Sequence, residues 1–273
     1  MAIKYDPQFF VYTGDATPFR LDGVKPLFDR LLRGTKPIVL FLHGRGDEPE
    51  KSLKGPGFFA RLAGVEGKAV SKIEDYGSAA VLFSWDSRRG DGLTDRERPL
   101  ANMPESGRRF AAVLEAVAQA VAAAPAQHPP LTLLAHSMGT IVVQTYVQQN
   151  GGWRSPGQGR LFANVVLSSA DADNLGHPAW VDKVAEVERV FVTINPVDPT
   201  LERSVEARQP NAIALGQEPG AVLSNVTTYA MLQIKAHEIF KKRPEHPEIS
   251  RFFDSAFKGG GAVNPGQRIR LQP

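Results

Sequence analysis

The sequence predicts an α/β fold, with a mostly parallel central sheet and helices on both faces. Two observations predict it. Short, almost wholly apolar runs alternate along the chain with segments whose apolar residues recur at helical spacing. One of those runs, residues 131–135, passes through a small-residue turn straight into a helical pattern, as a buried parallel strand does.

The elements follow in order. Residues 1–33 are read as an edge strand around 9–12 and a helix around 24–32. Residues 37–42 (Pro-Ile-Val-Leu-Phe-Leu) are of strand length and stop at His43-Gly44-Arg45-Gly46. Residues 79–85 form the next strand, and the polar stretch 87–104, rich in Arg, Asp and Gly, is a loop. Residues 105–123 are Ala-rich, with Phe110, Val113, Leu114, Val117 and Val121 on one helical face. The strand 131–135 and a helix over 140–149 come next, the helix ending at Asn150-Gly151-Gly152. Strands are expected at 162–168, 189–194 and 225–231, the last of the sheet, and helices at 178–187 and 247–257. Residues 199–220 are polar, long and irregular, a candidate lid. Residues 1–258 are read as a single domain, and the Gly- and Pro-rich 259–273 as a flexible tail.

Composition bounds the function. With 273 residues, 42% of them hydrophobic, the chain is long enough for one sizeable core. A net charge of +3, from 32 basic and 29 acidic residues, is too small to argue for nucleic acid. The absence of cysteine excludes a disulfide framework, a thiolate metal site and a cysteine nucleophile. The sequence shows neither a signal-peptide run nor a membrane-length apolar stretch, so a cytoplasmic protein with no integral membrane association is expected.

The chemistry centres on Ala135-His136-Ser137-Met138-Gly139. This is the layout of a nucleophile elbow, a turn tight enough to require small residues two before and two after the serine. The five-residue pattern alone turns up by chance in roughly one chain in five of this length, so context decides. A serine that merely caps a helix needs no small residues on both sides. Ser137 is therefore the candidate nucleophile.

A serine hydroxyl needs a base, and the base needs an orienting acid. Sites built on this turn follow the chain order Ser, then Asp or Glu, then His. Of six histidines, His177, His237 and His246 follow Ser137. His237 lies just beyond the last expected strand, at the sheet edge where ligands bind in open α/β folds. His246, between Glu245 and Pro247, is read as a solvated turn residue. Asp198 follows the strand ending at Ile194 and is the preferred acid; Asp171 and Asp173, after the preceding strand, are the alternatives, or else cap the next helix. The oxyanion hole draws one N–H from Met138 and a second from Arg45, in the loop after the first long strand. His43 and His136 are read as holding or lining the site.

These motifs together resemble the α/β-hydrolase superfamily. Within it the chain is similar to a bacterial group of uncharacterised serine hydrolases, which carry a Phe-x-His-Gly loop, a Phe-Ser-Trp-Pro-Ser strand end and an Ala-His-Ser-Met-Gly elbow. The matching stretches are Phe41-Leu42-His43-Gly44, Phe83-Ser84-Trp85-Asp86-Ser87, the elbow, Asp171-Ala172-Asp173 and Asp198. The likeness spans residues 37–257 and departs at Asp86, where proline is usual. The group itself implies no known substrate; the candidate triad residues point to a cofactor-independent serine hydrolase of a small-molecule ester or acyl substrate. Two rival readings stand beside it. One is a binding module without catalysis on the same scaffold. The other is acyl transfer or lipid hydrolysis, with the Arg-rich loop 88–98 meeting an anionic group.

Overall fold

A computed structural model describes residues 5–46, 69–88, 96–153, 159–206, 212–218, 227–261 and 268–271. Its strands are β1 (Val11–Thr13), β2 (Pro18–Phe19), β3 (Ile38–Leu42), β4 (Ala79–Phe83), β5 (Leu131–His136), β6 (Asn164–Ser168), β7 (Val190–Ile194), β8 (Thr227–Met231) and β9 (Arg268–Arg270). They join in one sheet, in the order β2-β1-β4-β3-β5-β6-β7-β8-β9. From β4 to β9 every pairing is parallel, while β1 pairs antiparallel with β2 and β4.

The helices are α1 (Leu21–Leu31), α2 (Ala69–Glu74), α3 (Glu97–Ala101), α4 (Met103–Ala122), α5 (Gly139–Asn150), α6 (Pro178–Ala185), α7 (Pro199–Glu206) and α8 (Pro247–Phe257). Side chains alternate across each strand, so the central strands feed two cores. Leu40, Leu133, Val165 and Val192 pack with Phe28, Phe110, Val142 and Trp180 from α1, α4, α5 and α6. Phe41, Leu134, Val166 and Phe191 pack on the other face with Val70, Ile73, Phe253 and Phe257 from α2 and α8. Burial on both faces explains why the strands read as continuous apolar runs rather than alternating ones. A fully buried phenylalanine such as Phe41 or Phe110 contributes about 1.5–3 kcal/mol.

Several elements differ from the sequence pattern. The stretch 87–104 contains α3 and the start of α4, because five residues holding Pro99 are too few to display a helical period. The hairpin strand β2, two residues, and helix α2, six, are also too short to show a period. The segment 259–273, expected as a tail, carries the edge strand β9. Its start is tied down: Arg189 donates to the carbonyls of Gly259 (2.7 Å) and Gly261 (2.9 Å), and Asn164 Nδ2 to that of Gly260 (2.9 Å). The candidate lid begins as helix α7, and its residues 212–218 are bonded to the loop after β6. Leu215 N–H donates to Ala172 at 2.8 Å and Asn174 N–H to Ile213 at 2.9 Å. Residues 207–211 and 219–220 of that lid lie outside the described residues, as do 47–60 after the first loop and 89–95 of the Arg-rich loop. Among the described residues no helix is long and apolar enough to cross a membrane.

Candidate active site

β5 ends where Ser137 turns into the left-handed region at φ 53°. A strand that enters a helix with no linker must reverse direction within one residue, and a serine held there stores roughly 1–3 kcal/mol. Local hydrogen bonds hold the turn. Ser137 N–H donates to Ser168 O at 3.0 Å, and Ser137 O accepts from Thr140 Oγ1 (2.7 Å), Thr140 N (3.0 Å) and Asp171 N (3.2 Å). The small residues have separate reasons. Ala135 is fully buried between its partners Leu42 and Leu167. A β-carbon on Gly139 would sit 2.5 Å from Leu42 O and 2.8 Å from His43 O, so the elbow abuts the loop after β3. Gly139→Ala is expected to force the two apart and destabilise the protein by about 1–3 kcal/mol. An unchanged melting temperature would show that the loop yields.

That abutting loop carries His43-Gly44-Arg45-Gly46. His43 is fully buried, stacked on the Trp85 indole with centroids 5.3 Å apart at 18°. Its Nδ1 donates to Gly44 O (3.0 Å) and its Nε2 accepts from Trp85 N–H (3.4 Å), while Trp85 Nε1 donates to His43 O (2.9 Å). Gly46 N–H, bonded to Ser87 O at 2.9 Å, docks the loop on the stretch that follows β4. Asp86, where the resembled group has proline, stiffens the same corner differently. It accepts Arg88 Nε at 2.6 Å and pairs with Arg88 Nη2.

Burial pushes His43 down to about 4, below its ordinary value of 6.5. The folded state therefore refuses a proton that the unfolded chain accepts. This contribution to stability is complete above pH 6.5 and is lost as pH falls toward 4, about 3 kcal/mol in all. His136 and His177, also lowered by burial, act in the same direction. A urea midpoint that does not fall between pH 7 and pH 4.5 would refute this.

His237 lies on a stretch, 232–246, with neither helix nor strand. Its Nδ1 is 2.9 Å from Asp198 Oδ2 and 3.1 Å from Oδ1. The Asp198 side chain is wholly buried and that of His237 is 16% exposed. With Nδ1–H donated to the carboxylate, Nε2 is left to take a proton. Asp198 also caps α7, its Oδ1 accepting from Thr200 N (2.9 Å) and Leu201 N (3.1 Å), and Pro199 takes the first helical position. The His136 ring lies 4.6 Å from the His237 ring and 5.1 Å from Phe240. Because His136 immediately precedes Ser137, that contact sets the His237 imidazole beside the elbow. Burial, and then the neighbouring His237, push His136 well below the usual histidine range, so it stays neutral.

The other candidates sit elsewhere in the hydrogen-bond network. The Asp171 carboxylate pairs with Arg96, at 3.2 Å from Nη2 and 3.3 Å from Nε, and accepts from Ser204 Oγ at 2.6 Å. It braces the elbow through its N–H to Ser137 O, and the carboxylate that reaches His237 is that of Asp198. Asp173 is exposed and bridges to Ala214. His177 is held between Asn174 O (2.8 Å) and Tyr229 OH (2.7 Å). His246 caps α8, its carbonyl accepting from Ser250 N–H at 3.1 Å.

Two supports of the His237 stretch had no motif to announce them. Asn195, directly after β7, donates to Ile234 O (2.7 Å) and Ala236 O (3.0 Å) and accepts from Ile234 N (3.2 Å). Lys72, on α2, pairs with Glu238, the neighbour of His237. An Asn following a strand end is the one local signal available for the first; the second joins residues 166 apart.

No curated protein matches the chain. Among solved structures, esterase B from Lactobacillus rhamnosis is 14% identical over 83% of this chain and 78% of its own, with a TM-score of 0.43. Carboxyl esterase 2 from Tuber melanosporum is 10% identical over 82% and 77%, with a TM-score of 0.43. The carboxylesterase Cest-2923 from Lactobacillus plantarum is 14% identical over 79% of each chain, with a TM-score of 0.39. A family model described as "Alpha/beta hydrolase of unknown function (DUF900)" matches residues 25–223. That match takes in the elbow and Asp198, and with the parallel sheet it establishes that the chain belongs to this alpha/beta hydrolase family.

Proposed function

We propose that the protein is a cofactor-independent serine hydrolase that cleaves a small carboxylic ester or a related acyl compound. The observation that carries this reading is the His237 Nδ1 to Asp198 hydrogen bond of 2.9 Å, on a ring packed against the residue preceding Ser137. Ser137 Oγ attacks the acyl carbon while His237 Nε2 takes its proton. Asp198 holds the tautomer and stabilises the imidazolium that forms. The Met138 and Arg45 N–H groups receive the oxyanion; one such donor typically supplies about 2.7–4 kcal/mol of transition-state stabilisation. Collapse of the intermediate expels the alcohol, protonated by His237, and leaves an acyl-Ser137. Water, activated by the same imidazole, then releases the acid.

A fluorophosphonate probe tests the nucleophile. Wild-type protein takes up the label, and Ser137→Ala takes up none. Undiminished labelling of the variant would sink the assignment. A panel of p-nitrophenyl esters of increasing acyl length then defines the substrate range, and lack of turnover across the panel by unlabelled enzyme that is competent to take the probe would point to acyl transfer.

A further inference from the structure

Beside the elbow stands a second turn of the same kind. Ser169 follows β6 as Ser137 follows β5, and it too sits in the left-handed region, at φ 45°. Serine does not enter this region without support from its surroundings. Ser169 is fully buried. Its N–H donates to Thr193 Oγ1 at 3.0 Å, and the adjoining Ala170 carbonyl accepts Gly216 N–H at 2.8 Å, so both sides of the turn are tied down. Its hydroxyl donates to the main-chain carbonyl of His237 at 2.6 Å. His136 Nε2 faces the same carbonyl at 3.4 Å.

The placement in the sheet gives this bond its meaning. β6 lies between β5, which delivers Ser137, and β7, which leads to Asp198. The His237 stretch has no ladder of its own to set its position. A hydroxyl from the strand between nucleophile and acid references the base to both. The strained turn is what lifts that hydroxyl off the sheet edge toward His237.

We propose that Ser169 is a positioning residue: its hydroxyl, grasping the His237 carbonyl, sets the imidazole at attack distance between Ser137 and Asp198. This rests on the hydrolase reading above. Misplacing a reacting group by about 1 Å costs on the order of 100-fold in rate.

The test compares wild type, Ser169→Ala and Ser169→Gly in steady-state hydrolysis of p-nitrophenyl acetate, with the melting temperature of each. Both variants lose the hydroxyl, but glycine accepts a positive φ freely, so Ser169→Gly separates the hydroxyl from the strained backbone. The expected result is a kcat lowered about 10- to 100-fold in both, with KM within about twofold of wild type and the Ser169→Gly melting temperature within a few degrees of it. Wild-type kcat in Ser169→Gly overturns the proposal, as does a loss in which KM and melting temperature fail together with kcat. A wild-type enzyme that neither turns over ester nor takes a fluorophosphonate label overturns the hydrolase reading and this inference with it; active wild type beside a fully active Ser169→Gly overturns this inference alone.

Discussion

Ser137→Ala is expected to lower kcat by roughly 10⁵- to 10⁶-fold, the scale on which removal of a serine nucleophile acts, with the fold intact. The side chain is small, and the hydrogen bonds that close the turn run through the main chain of Ser137, to Ser168, Thr140 and Asp171. A glycine at the same place should be equally inactive yet more stable than the alanine, because φ 53° strains any residue with a β-carbon. Calorimetry of the two variants separates chemistry from strain, at about 2–4 °C in melting temperature for each kcal/mol. Equal stability of Ser137→Gly and Ser137→Ala would show that the elbow stores no strain.

Asp198→Asn is expected to lower kcat by about 10⁴-fold while leaving stability nearly unchanged. Asparagine caps a helix as well as aspartate does, so the bonds to Thr200 and Leu201 N–H survive. What is lost is the negative charge opposite the imidazolium, together with control of the His237 tautomer. Asp198→Ala removes the cap as well and should cost a further 0.5–2 kcal/mol or so of stability. Comparing kcat and urea midpoints for the two variants divides the roles of this one carboxylate. Near wild-type turnover in Asp198→Asn would remove it from the proposed mechanism.

The dual role of Asp198 also shows how far the sequence could be read. Aspartate before proline reads as a turn residue or as an acid, and in the structure Asp198 both caps α7 and bonds His237. Asp171, by contrast, has the same local look, an Asp just after a strand. Its partner Arg96 is 75 residues away in sequence, so nothing near Asp171 announces the ion pair. Ser169 is hidden for a similar reason: a positive φ and a bond to a carbonyl 68 residues later leave no local trace. The missed elements β2, α2, α3, α7 and β9 are all eight residues or shorter, too short for periodicity to stand out.

By itself the sequence determined the α/β class, the central parallel strands and the tight turn that joins β5 to α5. These are written in local patterns: apolar runs of strand length, helical spacing, and small residues where a turn is tight. Only the tertiary structure decided which carboxylate meets His237, how Gly139 lets the turn at Ser137 press on the loop after β3, and what holds the irregular stretch that carries His237 in place. Those depend on contacts between residues far apart in the chain, where packing and hydrogen-bond satisfaction in three dimensions choose among side chains that look alike in one.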